Sequence, residues 1–255
     1  MTDLLAEQDA ARLALRCLDL TNLNDDCDDA AIRALAERAV TRFGSVSALC
    51  VWPRFARLAR DLAAPDVKIA TVVVFPSGEA TDEEAMEETR AALFEGADEI
   101  DMVIPYRDLM EGRDASVRSR VERVKRSAGE APVKAILETG VLASARMMRR
   151  AADAAIEGGA DFLKTSTGKV PVNATLSAAE ILLTAISTAD RPVGFKAAGG
   201  IRTTAEAWAY LEMADRIVGE GWASPQTFRF GASGLLDSLI ATLNGAAPVT
   251  AAEGY

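Results

Sequence analysis

The chain has 255 residues, of which 49% are hydrophobic and 26% are charged, with a formal net charge of −10 at pH 7. This acidic balance excludes the electrostatic footprint of a duplex DNA-binding or anionic-membrane-binding protein. The chain contains no histidine, which excludes Ser-His-Asp and Cys-His nucleophiles and His-ligated zinc sites. The length suits a single α/β barrel domain.

The cysteines and the N-terminal segment indicate a cytoplasmic protein. Cys17, Cys27 and Cys50 are odd in number and show no C-x-x-C spacing, so we expect reduced thiols. The segment 1–16 mixes acids and bases without the apolar stretch of a secretory signal, and no apolar run approaches the roughly 18 residues of a membrane span.

After an initial helix at about Leu4–Arg16, β-branched strand segments alternate with amphipathic helical segments. The predicted strands are Cys17–Thr21, Ser47–Trp52, Lys68–Phe75, Glu99–Ile104, Val133–Glu138, Phe162–Ser166, Gly194–Gly199 and Phe228–Ser233. The predicted crossover helices include Asp82–Phe94, Ser116–Ser127, Ser144–Ile156, Ser177–Ser187 and Thr203–Met213. Thr81, Ser177 and Thr203 are predicted N-caps.

Eight βα units of about 32 residues each predict a (β/α)8 TIM barrel with an extra N-terminal helix. The strands at Glu99 and Phe162 both follow a Gly-Ala-Asp joint, ending at Asp98 and Asp161. A doubly wound sheet is the competing fold, but the segment after the first strand lacks the glycine-rich turn expected there. We expect one catalytic domain over residues 1–245 and a flexible tail over 246–255.

Several predicted strands carry charges where parallel strands are normally apolar. Asp101, Lys164 and Lys196 lie within strands, and Lys134 and Glu138 flank the apolar centre of another. An unpaired buried charge costs several kcal/mol. One explanation is structural: the lysines extend to solvent at strand ends, or pair with acids to plug the barrel. The other is an active site.

The active-site explanation follows from barrel geometry, in which catalytic groups lie at the C-terminal ends of the strands. Asp101 and Lys164 stand equally far beyond their Gly-Ala-Asp joints, on strands two apart, and Lys196 lies on the next strand. We therefore expect two ammonium groups and a carboxylate to face one pocket.

This set suits amine catalysis. A lysine attacks a carbonyl only as the neutral amine, which is about 0.04% of the population at pH 7 for an ordinary pKa of ~10.4. Lowering the pKa to ~7 raises the neutral fraction by a factor of order 10³, and it requires the charged form to be destabilised by ~4–5 kcal/mol. A second cation and burial can supply such a shift.

Glycine-rich loops follow the last predicted strands. Gly199 and Gly200, and then Gly231, precede predicted helices, and backbone N–H groups at such positions bind phosphate in many barrels. The segment Thr165–Lys169 (TSTGK) adds hydroxyls, a glycine and a cation. It lacks the upstream glycine of a P-loop, so we reject a nucleotide-hydrolysing function.

Over nearly its whole length the chain resembles the Schiff-base (class I) deoxyribose-phosphate aldolase family. The resemblance rests on DLTNLND, ALCVWPRF, EIDMVIPYR, KAILETG, GADFLKTSTGK, GFKAAGGIRT and RFGAS, in chain order from Asp19 to Ser233. It implies a carbon–carbon lyase that reversibly cleaves 2-deoxy-D-ribose 5-phosphate to acetaldehyde and D-glyceraldehyde 3-phosphate, without a metal or organic cofactor.

The resemblance implies that Lys164 forms the Schiff base, that Asp101 moves protons and that Lys196 tunes the nucleophile. It implies Tyr255 as a proton relay. A homo-oligomer, in the first instance a dimer, is expected, with no nucleic-acid or membrane partner. The substrate-binding residues implied by the resemblance or by the loop chemistry are Thr21, Leu23, Thr167, Gly168, Lys169, Gly199, Gly200, Gly231, Ser233 and Gly234.

Two positions depart from the family pattern. Ser233-Gly234 stands where relatives often have two serines, so one hydroxyl is lost and both backbone N–H donors remain. Ala197 stands where relatives often have proline. Two alternatives stay open: another Schiff-base barrel, such as a sugar-phosphate aldolase or transaldolase, and a non-catalytic barrel that acts as a binding partner.

Overall fold

A computed structural model describes residues 2–245 of the chain, and the predicted tail 246–255, including Tyr255, lies outside the described residues. Eight parallel strands form a closed barrel in which each strand pairs with its neighbours along the chain and the last pairs with the first. The predicted TIM barrel is confirmed. The strands are β1 (Leu18–Asn22), β2 (Ala48–Val51), β3 (Lys68–Val73), β4 (Glu99–Val103), β5 (Val133–Ile136), β6 (Phe162–Lys164), β7 (Gly194–Ala198) and β8 (Phe228–Ala232).

All eight predicted strands are present, but most end earlier than predicted. The shortening matters most at β6, which ends at Lys164 rather than at Ser166. The hydroxyl residues that follow therefore belong to the loop at the C-terminal end of the barrel. A short antiparallel hairpin, Val40–Thr41 with Gly44–Ser45, stands apart from the barrel sheet.

Helices surround the barrel on the outside, as expected for βα crossovers. The helix that precedes β1 packs against the last two helices of the ring. A 3₁₀ turn covers Pro53–Phe55. The α-helices are α1 (Thr2–Arg16), α2 (Asp29–Arg38), α3 (Ala56–Leu62), α4 (Asp82–Phe94), α5 (Tyr106–Met110), α6 (Asp114–Ala128), α7 (Thr139–Leu142), α8 (Ala145–Glu157), α9 (Leu176–Ser187), α10 (Thr204–Ile217) and α11 (Leu235–Leu243). Within residues 2–245, none of these helices has the length and apolar character needed to cross a membrane.

Two of the three predicted helix caps are confirmed. Thr81 and Thr203 each form a capping box with the glutamate three residues later. The prediction for Ser177 is wrong: α9 begins at Leu176, and the hydroxyl of Thr175 accepts the N–H of Ala178 at 3.1 Å. A hydroxyl two residues earlier in the chain takes the capping position because the helix starts sooner than its apolar pattern indicates.

The two Gly-Ala-Asp joints have the same structure. The Asp98 carboxylate accepts the backbone N–H of Ile69, and the Asp161 carboxylate accepts that of Val133, both at 2.8 Å. Each aspartate therefore ties the start of its own strand to the start of the preceding strand. This shared geometry sets the register that brings Asp101 and Lys164 to corresponding heights.

The capping box of α4 gives a prediction about stability. Thr81→Ala removes the acceptor for the Glu84 N–H, and loss of such a cap costs about 1 kcal/mol. We expect a lower urea midpoint of unfolding and an unchanged barrel, because α4 lies outside it. Thr81→Ser keeps the hydroxyl and is the matched control. Equal midpoints for Ala and Ser would contradict the proposed contribution of the cap.

Candidate active site

Asp101, Lys164 and Lys196 meet inside the barrel, as predicted. The Lys164 and Lys196 Nζ atoms each lie 2.7 Å from Oδ2 of Asp101. Strand register explains the meeting, because Lys164 pairs directly with Lys196 across β6 and β7. The three side chains are 0 to 3% exposed, so the contacts are made in a medium where charges interact far more strongly than in water.

A cavity of about 500 Å³ opens at the C-terminal ends of the strands, above these three residues. Lys164 forms part of its floor, whereas Asp101 and Lys196 are absent from its lining and are fully buried. The expectation that all three face the pocket is therefore wrong for these two, which lie one layer beneath. The predicted binding residues that line the cavity are Thr21, Leu23, Thr167, Gly168, Lys169, Gly199, Gly200, Gly231, Ser233 and Gly234.

Five glycines line the cavity. Gly199 and Gly200 adopt φ angles of +86° and +88°, which side chains rarely tolerate. A Cβ on Gly231 would lie 3.0 Å from Cε of Lys196, so this glycine leaves room for the buried lysine below. The helix α11 begins directly after its N-cap residue Gly234, which lines the cavity.

Charged side chains also border the cavity. Lys169 lies over the Trp52 ring and pairs with Asp25 at 2.8 Å. Arg202 lines the same cavity, although its place in the sequence had not marked it as a candidate. These two cations and the N-terminus of α11 give the cavity the character of an anion site.

Four more ionisable side chains lie beneath Asp101, and none of them is among the site residues predicted from the sequence. Lys134 contacts Asp101 at 2.8 Å and Glu99 at 2.6 Å. Asp19 contacts Lys196 at 2.5 Å. Arg229 bridges Asp19 at 2.7 Å and Glu99 at 2.8 Å. These pairs support the structural explanation for the charged strand residues, because paired charges fill the barrel beneath the cavity.

These contacts separate the pKa values of the lysines. Burial lowers the pKa of Lys164, and the Lys196 ammonium lowers it further, against the opposing effect of Asp101. Burial alone would lower the pKa of Lys196, but Asp101 and Asp19 raise it above its ordinary value. Lys164 is therefore the lysine that loses its proton first.

The pKa of Asp101 is shifted in the opposite sense. Burial would raise it, but Lys134, Lys164 and Lys196 hold the pKa well below its ordinary value. Asp101 is thus a carboxylate at neutral pH. It can accept a proton only when a neighbouring cation gives up its charge.

Two further side chains border Lys164. Glu138 has a left-handed backbone conformation, φ 54°, and its carboxylate accepts the N–H and O–H of Thr167 at 3.3 and 2.5 Å. Burial raises the pKa of Glu138. Cys50 is buried in β2 among apolar residues, consistent with a packing role, and burial raises the pKa of its thiol. Within residues 2–245 no three His, Cys, Asp or Glu side chains are grouped to hold a metal ion.

The barrel, its floor lysine and the shared carboxylate together define an aldolase of the barrel class. The model of the DeoC/LacD aldolase family matches residues 13–237. A curated deoxyribose-phosphate aldolase from Agrobacterium fabrum is 50% identical over 99% of both chains. The chain belongs to the DeoC/LacD aldolase family.

Solved structures share the fold of this chain. The structure of a proposed deoxyribose-phosphate aldolase from Toxoplasma gondii ME49 has a TM-score of 0.87 at 27% identity, covering 97% of this chain and 98% of that one. A deoxyribose phosphate aldolase from Aeropyrum pernix, described as tetrameric, has the same fold with a TM-score of 0.73 at 24% identity, covering 94% and 97%.

The site predicts the effect of removing the second ammonium group. Lys196→Leu should raise the pKa of Lys164, because the cation that disfavours its protonation is gone. Each unit of increase in that pKa lowers the fraction of neutral amine at pH 7 about tenfold. We expect turnover at pH 7 to fall steeply and to recover partly at higher pH. Lys68→Leu, at an exposed lysine, is the control. Near-normal turnover of Lys196→Leu at pH 7 would show that the second cation is not needed.

Proposed function

We propose that the chain catalyses the reversible cleavage of 2-deoxy-D-ribose 5-phosphate into acetaldehyde and D-glyceraldehyde 3-phosphate, with Lys164 as the covalent catalyst. The observation that carries the proposal is the position of Lys164. Its amine stands on the floor of the cavity and contacts only one carboxylate among the described residues, that of Asp101.

The first step is attack of the neutral Lys164 amine on the C1 aldehyde of the open-chain substrate. Loss of water from the resulting carbinolamine gives a protonated imine, which withdraws electrons from C2. Asp101 and Lys196, acting through water, are the proposed proton carriers for this step. Asp101 lies 2.7 Å from the reacting nitrogen, within reach of the protons that move.

The second step breaks the C2–C3 bond, since C1 and C2 become acetaldehyde. A base removes the proton of the C3 hydroxyl, and the electrons of the C2–C3 bond form the enamine as D-glyceraldehyde 3-phosphate leaves. Protonation of the enamine at C2 and addition of water at C1 release acetaldehyde and return the free amine. Thr21 and Leu23, which line the cavity, are proposed to contact the sugar chain.

The phosphate is proposed to lie on the side of the cavity formed by Lys169, Arg202, Ser233 and the N-terminus of α11. Backbone N–H groups of the glycine loops can donate to its oxygens there. The remaining proposed contacts are Thr167, Gly168, Gly199, Gly200, Gly231 and Gly234. Gly234 stands where relatives often have a serine, so it offers no hydroxyl to the phosphate, but its backbone N–H donor remains.

We also propose a cytoplasmic location, a homo-oligomeric state and a single catalytic domain. A cytoplasmic location is supported by the three free, buried cysteines. The homo-oligomer, in the first instance a dimer, stays a prediction, as does the proton-relay role of Tyr255. A single catalytic domain over residues 1–245 is supported by the closed barrel that lies within the described residues 2–245.

A covalent trap tests the mechanism. Acetaldehyde with sodium borohydride should leave a stable two-carbon adduct on Lys164, found by peptide mapping, because borohydride reduces the imine to an amine. Lys164→Arg keeps a positive charge and should not be labelled. Absence of the adduct, or labelling at another lysine, would refute the assignment of Lys164.

The substrate itself is tested by turnover. Deoxyribose 5-phosphate should be cleaved, whereas fructose and sedoheptulose phosphates should not. A preference for either of the latter would favour another Schiff-base aldolase or a transaldolase.

A further inference from the structure

The ionisable side chains inside the barrel form one continuous ion-paired cluster. Each member lies within 4.0 Å of an opposite charge, and none is more than 6% exposed. The members are the acids Asp19, Glu99 and Asp101 and the bases Lys134, Lys164, Lys196 and Arg229. Three carboxylates therefore face four bases, and the charges of the cluster balance only when one base is neutral.

The contacts indicate which base that is. Lys196, Lys134 and Arg229 each touch two carboxylates within 3.0 Å. Among the described residues Lys164 touches only Asp101, which it shares with two other lysines. In a buried environment an excess charge is costly, so the proton is released where the fewest carboxylates hold it.

Two other titratable groups lie near Lys164 but form no ion pair with the described members of the cluster. The Cys50 thiol lies 4.0 Å from Oδ2 of Asp101, and burial raises its pKa, so it is uncharged at neutral pH. Glu138 is engaged by Thr167 and forms no ion pair with the lysines or arginines of residues 2–245. The apolar Val72 is the residue of β3 that pairs with Asp101.

We propose that Lys134 is a positioning residue whose fixed positive charge, beneath the substrate cavity, leaves Lys164 as the base that goes uncharged. Lys134 is fully buried and does not line the cavity. Its ammonium lies 2.8 Å from Oδ1 of Asp101, the oxygen opposite the one that Lys164 contacts. Lys134 thereby neutralises carboxylate charge that would otherwise hold Lys164 protonated. The inference rests on the proposed role of Lys164 as the reacting amine.

Two single substitutions should act in opposite directions. Lys134→Met removes a cation, so the charges of the cluster balance with Lys164 protonated. The midpoint pH, at which half of Lys164 is neutral and reactive, should therefore rise by about one unit or more. Turnover at pH 7 should fall about tenfold. Glu99→Gln removes a carboxylate, so the same midpoint should move to lower pH.

The double variant Lys134→Met with Glu99→Gln lacks one cation and one carboxylate. The acids Asp19 and Asp101 then balance the charged bases Lys196 and Arg229, so the midpoint pH of Lys164 should return toward that of the parent chain. A residue that only packs the barrel would not produce opposed shifts that cancel. Lys68→Met, at an exposed lysine on β3, is the control and should shift nothing.

The readout is the pH dependence of acetaldehyde trapping at Lys164 by sodium cyanoborohydride, with peptide mapping, alongside the pH profile of kcat. Opposed shifts and their cancellation support the proposal. Unmoved midpoints, or shifts in one direction for both single variants, overturn it. If Lys134→Met does not fold, Glu99→Gln decides alone: a midpoint that does not fall overturns the proposal. Failure of the parent chain to trap acetaldehyde would instead refute the proposed function.

Discussion

The carboxylate of Asp101 accepts hydrogen bonds from the Nζ atoms of three lysines at the centre of the barrel. A buried ion is tolerated only where opposite charges and hydrogen bonds replace its hydration, and removing one partner of a buried pair typically costs about 3–5 kcal/mol. The barrel interior therefore has to be built as a connected set of pairs. Because the same carboxylate touches Lys164, stability and chemistry depend on one arrangement.

The barrel separates two tasks along its axis. Below Asp101, Lys134, Glu99 and Arg229 are held in pairs that keep them ionised. Above it, the cavity is walled by glycines, hydroxyls and a helix N-terminus, which suit a phosphorylated ligand. Lys164 lies at the boundary, with one carboxylate beneath and the cavity above. It is thus the buried amine that is both weakly held and reachable by substrate.

Much of this arrangement could be predicted from the sequence, because strand periodicity, the repeated Gly-Ala-Asp joints and charged residues within strands are local features. The pairs beneath the cavity could not. Asp19 and Arg229 are 210 positions apart and meet only because β1 closes on β8. Sequence shows that a strand residue is charged but not how far it stands from the barrel end, so it does not indicate that Asp101 and Lys196 lie beneath the cavity. Ser177 failed as a cap because Thr175 offers a competing hydroxyl.

The account depends most directly on the protonation state of Lys164. An NMR pH titration of chains labelled with ¹³C and ¹⁵N on lysine, with Lys164 assigned by comparison with Lys164→Arg, reports its ε-carbon and Nζ signals. The account predicts a midpoint below the ordinary lysine value of about 10.4, while Lys134 and Lys196 stay protonated throughout. A midpoint at or above the ordinary value, or earlier loss of the Lys196 proton, would contradict it.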